Sequence, residues 1–178
     1  MAANHLSKRD NWQTNTGKKA KRNEKKSFKL LNESLDREKY SITVQPTISI
    51  ALETIRPELC IENTLNGKKL LLDDKLGENG GNAHERLYGY FTPKRLKQFQ
   101  DINCTPLVLL SGRTFAAKKP FIVTRYDKKN NKYTNTSVNP QKYRDQLESR
   151  LEKDNYFIMS LDNSNCRELV NLIEKLLS

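Results

Sequence analysis

The sequence predicts an α/β domain, a mixed β-sheet flanked by helices. Three observations predict it. Short β-branched or apolar runs alternate with segments of helical period along the whole chain. Two of the runs, TPLVLL at 105–110 and NYFIMSL at 155–161, are continuously apolar enough to be strands buried on both faces. The chain has 178 residues, of which 35% are hydrophobic, sufficient for one domain with one core.

Taken in order, residues 1–27 hold almost no apolar side chains and include the basic run KKAKRNEKK at 18–26. That run reads either as a solvated tail or as an arm laid on phosphates. Residues 1–26 are therefore set apart as a basic, flexible arm of a single domain spanning 1–178. Phe28, Leu31 and Leu35 recur at helical spacing, so residues 20–36 read as an amphipathic helix. Residues 40–50, YSITVQPTISI, form a strand interrupted at Pro46. LCIENTLNGKKLLLDDK at 59–75 reads as two strands about Asn66-Gly67, a strong hairpin signal. Residues 83–100 read as a helix, FIVTRY at 121–126 as a strand, KKNNK at 128–132 as a polar turn, and 140–153 as a polar helix. Leu169, Val170, Ile173, Leu176 and Leu177 then share one face of a last helix, with Asn165 as its cap.

Lys and Arg number 32 against 21 Asp and Glu, a formal charge of +11. A surplus of that size favours a polyanionic partner. No apolar run is long enough to span a bilayer, and the charged N-terminus carries no apolar signal region. The expectation is a cytoplasmic protein without a membrane partner. Cys60, Cys104 and Cys166 lack zinc or redox spacing and read as reduced thiols.

The hairpin carries the chemistry. With Asn66-Gly67 as a two-residue loop, Leu65 faces Lys68, Ile61 faces Leu72, Cys60 faces Asp73 and Glu58 faces Lys75. Leu59, Ile61, Leu70 and Leu72 then make a core face. Glu58, Cys60, Glu62, Leu71, Asp73 and Lys75 share the other. Glu58 and Asp73 are thus near enough to hold one hard cation, with Lys75 beside it. Such a cation polarises a phosphate and acidifies a bound water. The plain alternative is a strand face with salt-bridged charges. Asp74 falls on the core face and is the weaker candidate.

Next comes GENGGNAHERLYGYFTP at 77–93. Its glycines let the backbone approach a partner closely. Asn82 caps or precedes a helix starting near Ala83, and a helix N-terminus favours anions. Asn, Ala and Arg are residue types that read base edges in the major groove, so Asn82, Ala83 and Arg86 are candidates. A capped surface helix is the plain alternative. His84 alone is more structural than catalytic.

GNAHER at 81–86 resembles the segment GNAHER or GNAIER of the EcoRI/MunI group of type II restriction endonucleases, in the PD-(D/E)XK nuclease superfamily. The resemblance extends in order through NWQ at 11–13 with Gly17, Ala20 and Glu24, then IENT at 61–64, FTP at 91–93 and DNYF at 154–157. Pro57-Glu58 falls on the family's PD, and Asp73-Asp74-Lys75 on its (D/E)xK. The resemblance implies a restriction-endonuclease-like core and Mg²⁺-dependent hydrolysis of double-stranded DNA by a homodimer. The implied site is a palindrome containing AATT, cut to leave 5′ overhangs. It implies Glu58, Asp73 and Lys75 as catalytic residues, Glu58 and Asp73 as metal ligands, and Gly81, Asn82, Ala83, His84 and Arg86 as the DNA-binding segment. It also implies a companion DNA methyltransferase in a bacterial restriction-modification system.

The chain departs from the family at three places. Glu58 stands where an Asp is usual, Asp73 where EcoRI and MunI have Glu, and Gly80 where MunI has Arg. The outer bases of the site therefore stay open. A catalytically impaired DNA-binding relative, or a repair or junction nuclease on the same core, are the alternatives.

Overall fold

The computed structural model describes residues 18, 21, 22, 24–51, 53–77, 91–127, 129–150, 157–160 and 166–178. A helix α1 covers 24–34. Strand β1 (Tyr40–Val44), a small antiparallel pair β2 (Ile48–Ile50) and β3 (Glu53–Ile55), β4 (Leu59–Asn63) and β5 (Lys69–Leu76) follow. Helix α2 (Pro93–Asp101), β6 (Cys104–Ser111), the short α3 (Arg113–Ala116), β7 (Phe121–Asp127), β8 (Lys132–Val138), α4 (Pro140–Arg150), β9 (Phe157–Ser160) and α5 (Cys166–Leu177) complete the order.

The central sheet runs β1-β4-β5-β6-β9. β1, β4 and β5 are antiparallel neighbours, whereas β5, β6 and β9 run parallel. The expected mixed sheet between helices is therefore present. Parity along the strands sorts side chains into two layers. Leu59, Ile61, Leu70, Leu72, Leu107 and Leu109 face α1 and α5, meeting Leu31, Leu35, Leu169, Ile173 and Leu177. On the other face, Val108 and Leu110 meet Leu96 of α2, Phe115 of α3 and Leu147 of α4. Cys60, Leu71 and Cys104 meet Ile50 and Phe99 there. Each fully buried Leu contributes about 1.5–3 kcal/mol by leaving water, so the α1/α5 layer is the main source of stability.

The amphipathic helices at both ends of the chain stand where the periodicity puts them. The interruption at Pro46 is real, and it sends β2 out of the main sheet. Two expectations need correction. The helix expected over 83–100 does not run through 91–92; it starts at Pro93, with Thr92 as a cap accepting from the Arg95 amide at 3.3 Å. A proline is accommodated at the first helical position and nowhere further in, which fixes that start. Residues 83–90 lie outside the described residues, as does Asn165.

The hairpin register is the second correction. Leu59 pairs with Leu72, Cys60 with Leu71, Ile61 with Leu70 and Glu62 with Lys69, two residues off the expected register. The loop has four residues because Asn63 and Lys68 close it, the Asn63 amide donating to the Lys68 carbonyl at 2.9 Å. Asn63 is buried, its Nδ2 donates to the Leu177 carbonyl, and its Oδ1 accepts from the Leu65 amide. Gly67 takes the left-handed turn at φ 71°. A slip of two preserves side-chain parity, so both faces keep the composition the sequence implies.

Candidate active site

Strand β5 ends at one end of the sheet in Asp73-Asp74-Lys75-Leu76. β4 begins beside it, preceded by Pro57-Glu58. In the observed register Glu58 comes opposite Asp73. The Glu58 amide donates to Asp73 Oδ1 at 3.3 Å, and the Asp74 amide donates to Glu58 Oε2 at 2.5 Å. The Glu58 carbonyl accepts from the Gln45 amide at 2.8 Å, tying the same residue to the end of β1. Lys75 Nζ lies 3.7 Å from Glu58 Oε1 and 3.9 Å from Asp73 Oδ1. The three residues singled out from the sequence are thus one cluster on one face.

Burial decides the electrostatics of that cluster. The Asp73 side chain is 7% exposed and that of Glu58 19%, while Lys75 is 30% exposed. Burial pushes the Glu58 carboxyl up to about 7. The Asp74 amide and Lys75 pull it back, and the Asp73 and Asp74 charges push it further. A carboxyl that keeps its proton near neutrality marks a site short of positive charge.

Asp74 points to the opposite face, as its parity requires. Its Oδ2 accepts from Ser27 Oγ of α1 at 3.0 Å, and its Oδ1 accepts from Ser111 Oγ of β6 at 3.2 Å. All three are buried. This residue, flanked by Asp73 and Lys75, fastens the strand end to α1 and β6. Ser27 and Ser111 are not singled out by the sequence; their only signal is a small hydroxyl at a core-facing position.

Gly77 and Gly112 close the same end. The Gly77 amide donates to the Ser111 carbonyl at 2.8 Å, and the Thr114 amide donates to the Gly77 carbonyl at 2.7 Å. Gly112 has φ 86°, and a Cβ there would stand 2.6 Å from the Gly77 carbonyl oxygen. Only glycine fits that turn and that approach.

Beside Glu58 a cleft of about 290 Å³ opens against α1, lined among others by Lys21, Glu24, Lys25 and Gln45. Part of the basic run at 18–26 thereby lines the same cleft as Glu58. Gly81, Asn82, Ala83, His84 and Arg86 lie outside the described residues. The chain leaves β5 for that segment directly after Gly77, so its root is at the cluster.

Among the described residues no three His, Cys, Asp or Glu side chains gather as a ready cation cage. Two carboxylates and a lysine do gather. That donor set, all oxygen and short of positive charge, suits Mg²⁺, which binds through one or two carboxylates and keeps its other positions for water and phosphate. Cys60 and Cys104 are free, buried thiols whose acidity burial suppresses, as expected of inert core cysteines. No helix among the described residues is long and apolar enough to cross a membrane.

Comparison with known proteins points the same way as the motif. The family model of the type II restriction enzyme MunI matches residues 1–55. Among solved structures, the crystal structure of MunI restriction endonuclease in complex with cognate DNA aligns with a TM-score of 0.54 at 21% identity, over 94% of this chain and 98% of that one. No curated protein matches the chain. The chain is thus similar to the type II restriction enzyme MunI in sequence pattern over its first 55 residues, and it shares the fold of the MunI endonuclease over nearly its whole length.

Proposed function

We propose that this chain is a Mg²⁺-dependent type II restriction endonuclease that cuts double-stranded DNA, as a homodimer, at a palindrome containing AATT and leaves 5′ overhangs. The observation that carries the reading is the gathering of Glu58, Asp73 and Lys75 at one sheet end. Charge supports it, since +11 suits a phosphate partner. A solved structure it aligns with is itself a MunI complex with cognate DNA.

Glu58 and Asp73 would hold the metal. Bound there, Mg²⁺ would polarise the scissile phosphate and lower the pKa of a water. The chain's own part is positional and electrostatic. Lys75, held near both carboxylates, orients the attacking water or balances charge growing on the phosphate oxygens as one P–O ester bond gives way. Asp73 accepts from the Glu58 amide and Glu58 accepts from the Asp74 amide, so neither carboxylate is free to swing away. Asn82, Ala83 and Arg86, within the segment Gly81 to Arg86 that includes His84, read the inner bases. Such an enzyme works in the bacterial cytoplasm beside a DNA methyltransferase protecting the same site.

The test is digestion of a sequenced plasmid by purified protein with Mg²⁺, with every end mapped. The expected result is discrete cuts centred on AATT, staggered to give 5′ overhangs and absent with EDTA. Tight AATT binding without cutting would favour the impaired relative, in which the Glu58/Asp73 exchange disables the metal site. Cutting at junctions or lesions without a palindrome would favour the repair nuclease.

A further inference from the structure

Strand β1 gives out at Gln45, and the way it does so bears on the carboxylate cluster. Gln45 has φ 46°, in the left-handed region that glycine favours. Among the described residues three other non-glycines share that region. Asn103 and Asn131 are of a type that tolerates it, and Ala51 lies in the β2–β3 turn. Gln45 stands directly before Pro46, and a residue before proline is steered toward extended backbone. Its side chain is exposed, so packing does not compel the conformation. Backbone strain of this kind persists only where the surrounding structure over-determines it, and it gathers at functional sites.

The hydrogen bonds show what the turn does. The β1–β4 register puts Gln45 opposite Glu58, one step beyond the Val44–Leu59 pair. The Gln45 amide donates to the Glu58 carbonyl at 2.8 Å, which marks a hydrogen-bonded pair. In a regular antiparallel ladder such a pair exchanges two bonds, the second from the Glu58 amide to the Gln45 carbonyl. Here the Glu58 amide donates to Asp73 Oδ1 instead, at 3.3 Å. Rotation about the Gln45 N–Cα bond leaves its amide in the ladder and swings its carbonyl out. An extended Gln45 would offer that carbonyl to the same donor, in competition with Asp73. The left-handed turn removes the competitor.

We infer that Gln45 is a positioning residue of the nuclease site: its left-handed turn frees the Glu58 amide to hold the Asp73 carboxylate. The inference rests on the nuclease reading, in which Glu58 and Asp73 hold the cation. A carboxylate that accepts a fixed backbone N–H is oriented before any cation arrives, and its charged form is favoured. Asp73 Oδ1 also lies 3.9 Å from Lys75 Nζ, so the same bond sets how the carboxylate faces the lysine. Supporting bonds of this kind tune a metal site without touching the metal.

The test is a series at one position: Gln45→Gly, Gln45→Asn, Gln45→Ala and Gln45→Val. Glycine and asparagine accept the left-handed turn, alanine accepts it at a cost, and valine resists it. All four keep the backbone amide. NMR of the metal-free protein reads the bond directly. Adding Asp73→Ala is expected to shift the Glu58 amide proton in wild type, Gln45→Gly and Gln45→Asn. In Gln45→Val it is expected to leave that proton in place, because the carbonyl at position 45 has taken the donor. Mg²⁺ affinity by calorimetry and kcat on AATT-containing plasmid are expected to fall about tenfold or more in Gln45→Val, with KM unchanged. Gln45→Gly and Gln45→Asn rescue both, and Gln45→Ala falls between; it carries the comparison if Gln45→Val does not fold. A folded Gln45→Val or Gln45→Ala with wild-type Mg²⁺ affinity and kcat, whatever its melting temperature, would make the turn purely structural and overturn the inference. Equal losses in Gln45→Gly and Gln45→Ala would overturn it too, assigning the effect to the carboxamide. Both outcomes leave the nuclease reading standing. Wild type that neither binds Mg²⁺ nor cuts would take down that reading and the positioning role with it, even where the Glu58 amide still answers to Asp73.

Discussion

At the scale of single residues, Glu58 is the most informative side chain. Its carboxyl is pushed up to about 7 from 4.5, chiefly by burial. The folded state therefore holds a proton that the unfolded chain has lost between these values. Stability is greatest below the unfolded value and falls as pH rises through 7, by an amount on the order of 3 kcal/mol. Glu58→Gln is expected to unfold at a higher temperature than wild type at pH 8 and at the same temperature near pH 4. Equal melting shifts at both values would remove the burial argument. The same proton must leave before Glu58 can ligate a cation. Mg²⁺ affinity, measured by calorimetry, is expected to rise about tenfold per pH unit below 7 and then level off. Asp73→Ala and Lys75→Ala are expected to abolish cutting while AATT binding in EDTA persists. Retained cutting by either would move the active site elsewhere. These three residues are legible in the sequence because a two-period alternation needs no register: a slip of two leaves every side chain on its face. The roles of Ser27 and Ser111 are not legible there, since nothing local marks a hydroxyl that will meet an aspartate far away in the chain.

At the scale of elements, what the sequence shows depends on whether an element has a core face. Helices α1 and α5 bury one stripe each, so their leucines announce them. β6 is buried on both faces and reads as a continuous apolar run. β8 escapes notice because its strand, KYTNTSV, buries only Val138 fully and shows no apolar alternation. The hairpin loop reads as two residues because Asn66-Gly67 imitates a tight turn. What lengthens it is a long-range bond, Asn63 to the last turn of α5, which local sequence does not display. Long range also decides how α1 acts. It carries part of the basic run and meets β5 through Ser27 and Asp74, both buried. Ser27→Ala is expected to cost about 1–3 kcal/mol, because one hydroxyl donor to a buried carboxylate is lost. The midpoint of a urea titration measures it. If α1 positions the strand end, the variant also loses cutting rate at saturating DNA. A stability loss with an unchanged rate would make the contact purely structural.

At the scale of the whole molecule, one cluster of two carboxylates and a lysine stands at one sheet end among the described residues of the chain. A palindrome asks for two such clusters related by a two-fold axis, one for each strand. The division of labour is testable by mixing. Asp73→Ala keeps every basic residue of the chain and lacks one carboxylate. Co-refolded with an equal amount of wild type, random pairing makes mixed dimers the commonest species. A mixed dimer bound at a palindrome can hydrolyse one strand and not the other. Supercoiled plasmid with a single site is then expected to accumulate as nicked circles, well beyond the transient nicked species that wild type alone produces. Linear product from the mixture should fall to the share made by pure wild-type dimers. If the mixture instead yields linear DNA in simple proportion to the wild-type chain present, with no added nicked circle, then each chain cuts both strands by itself. That outcome would make the two-fold dimer unnecessary, and the palindrome would have to be read by a single chain.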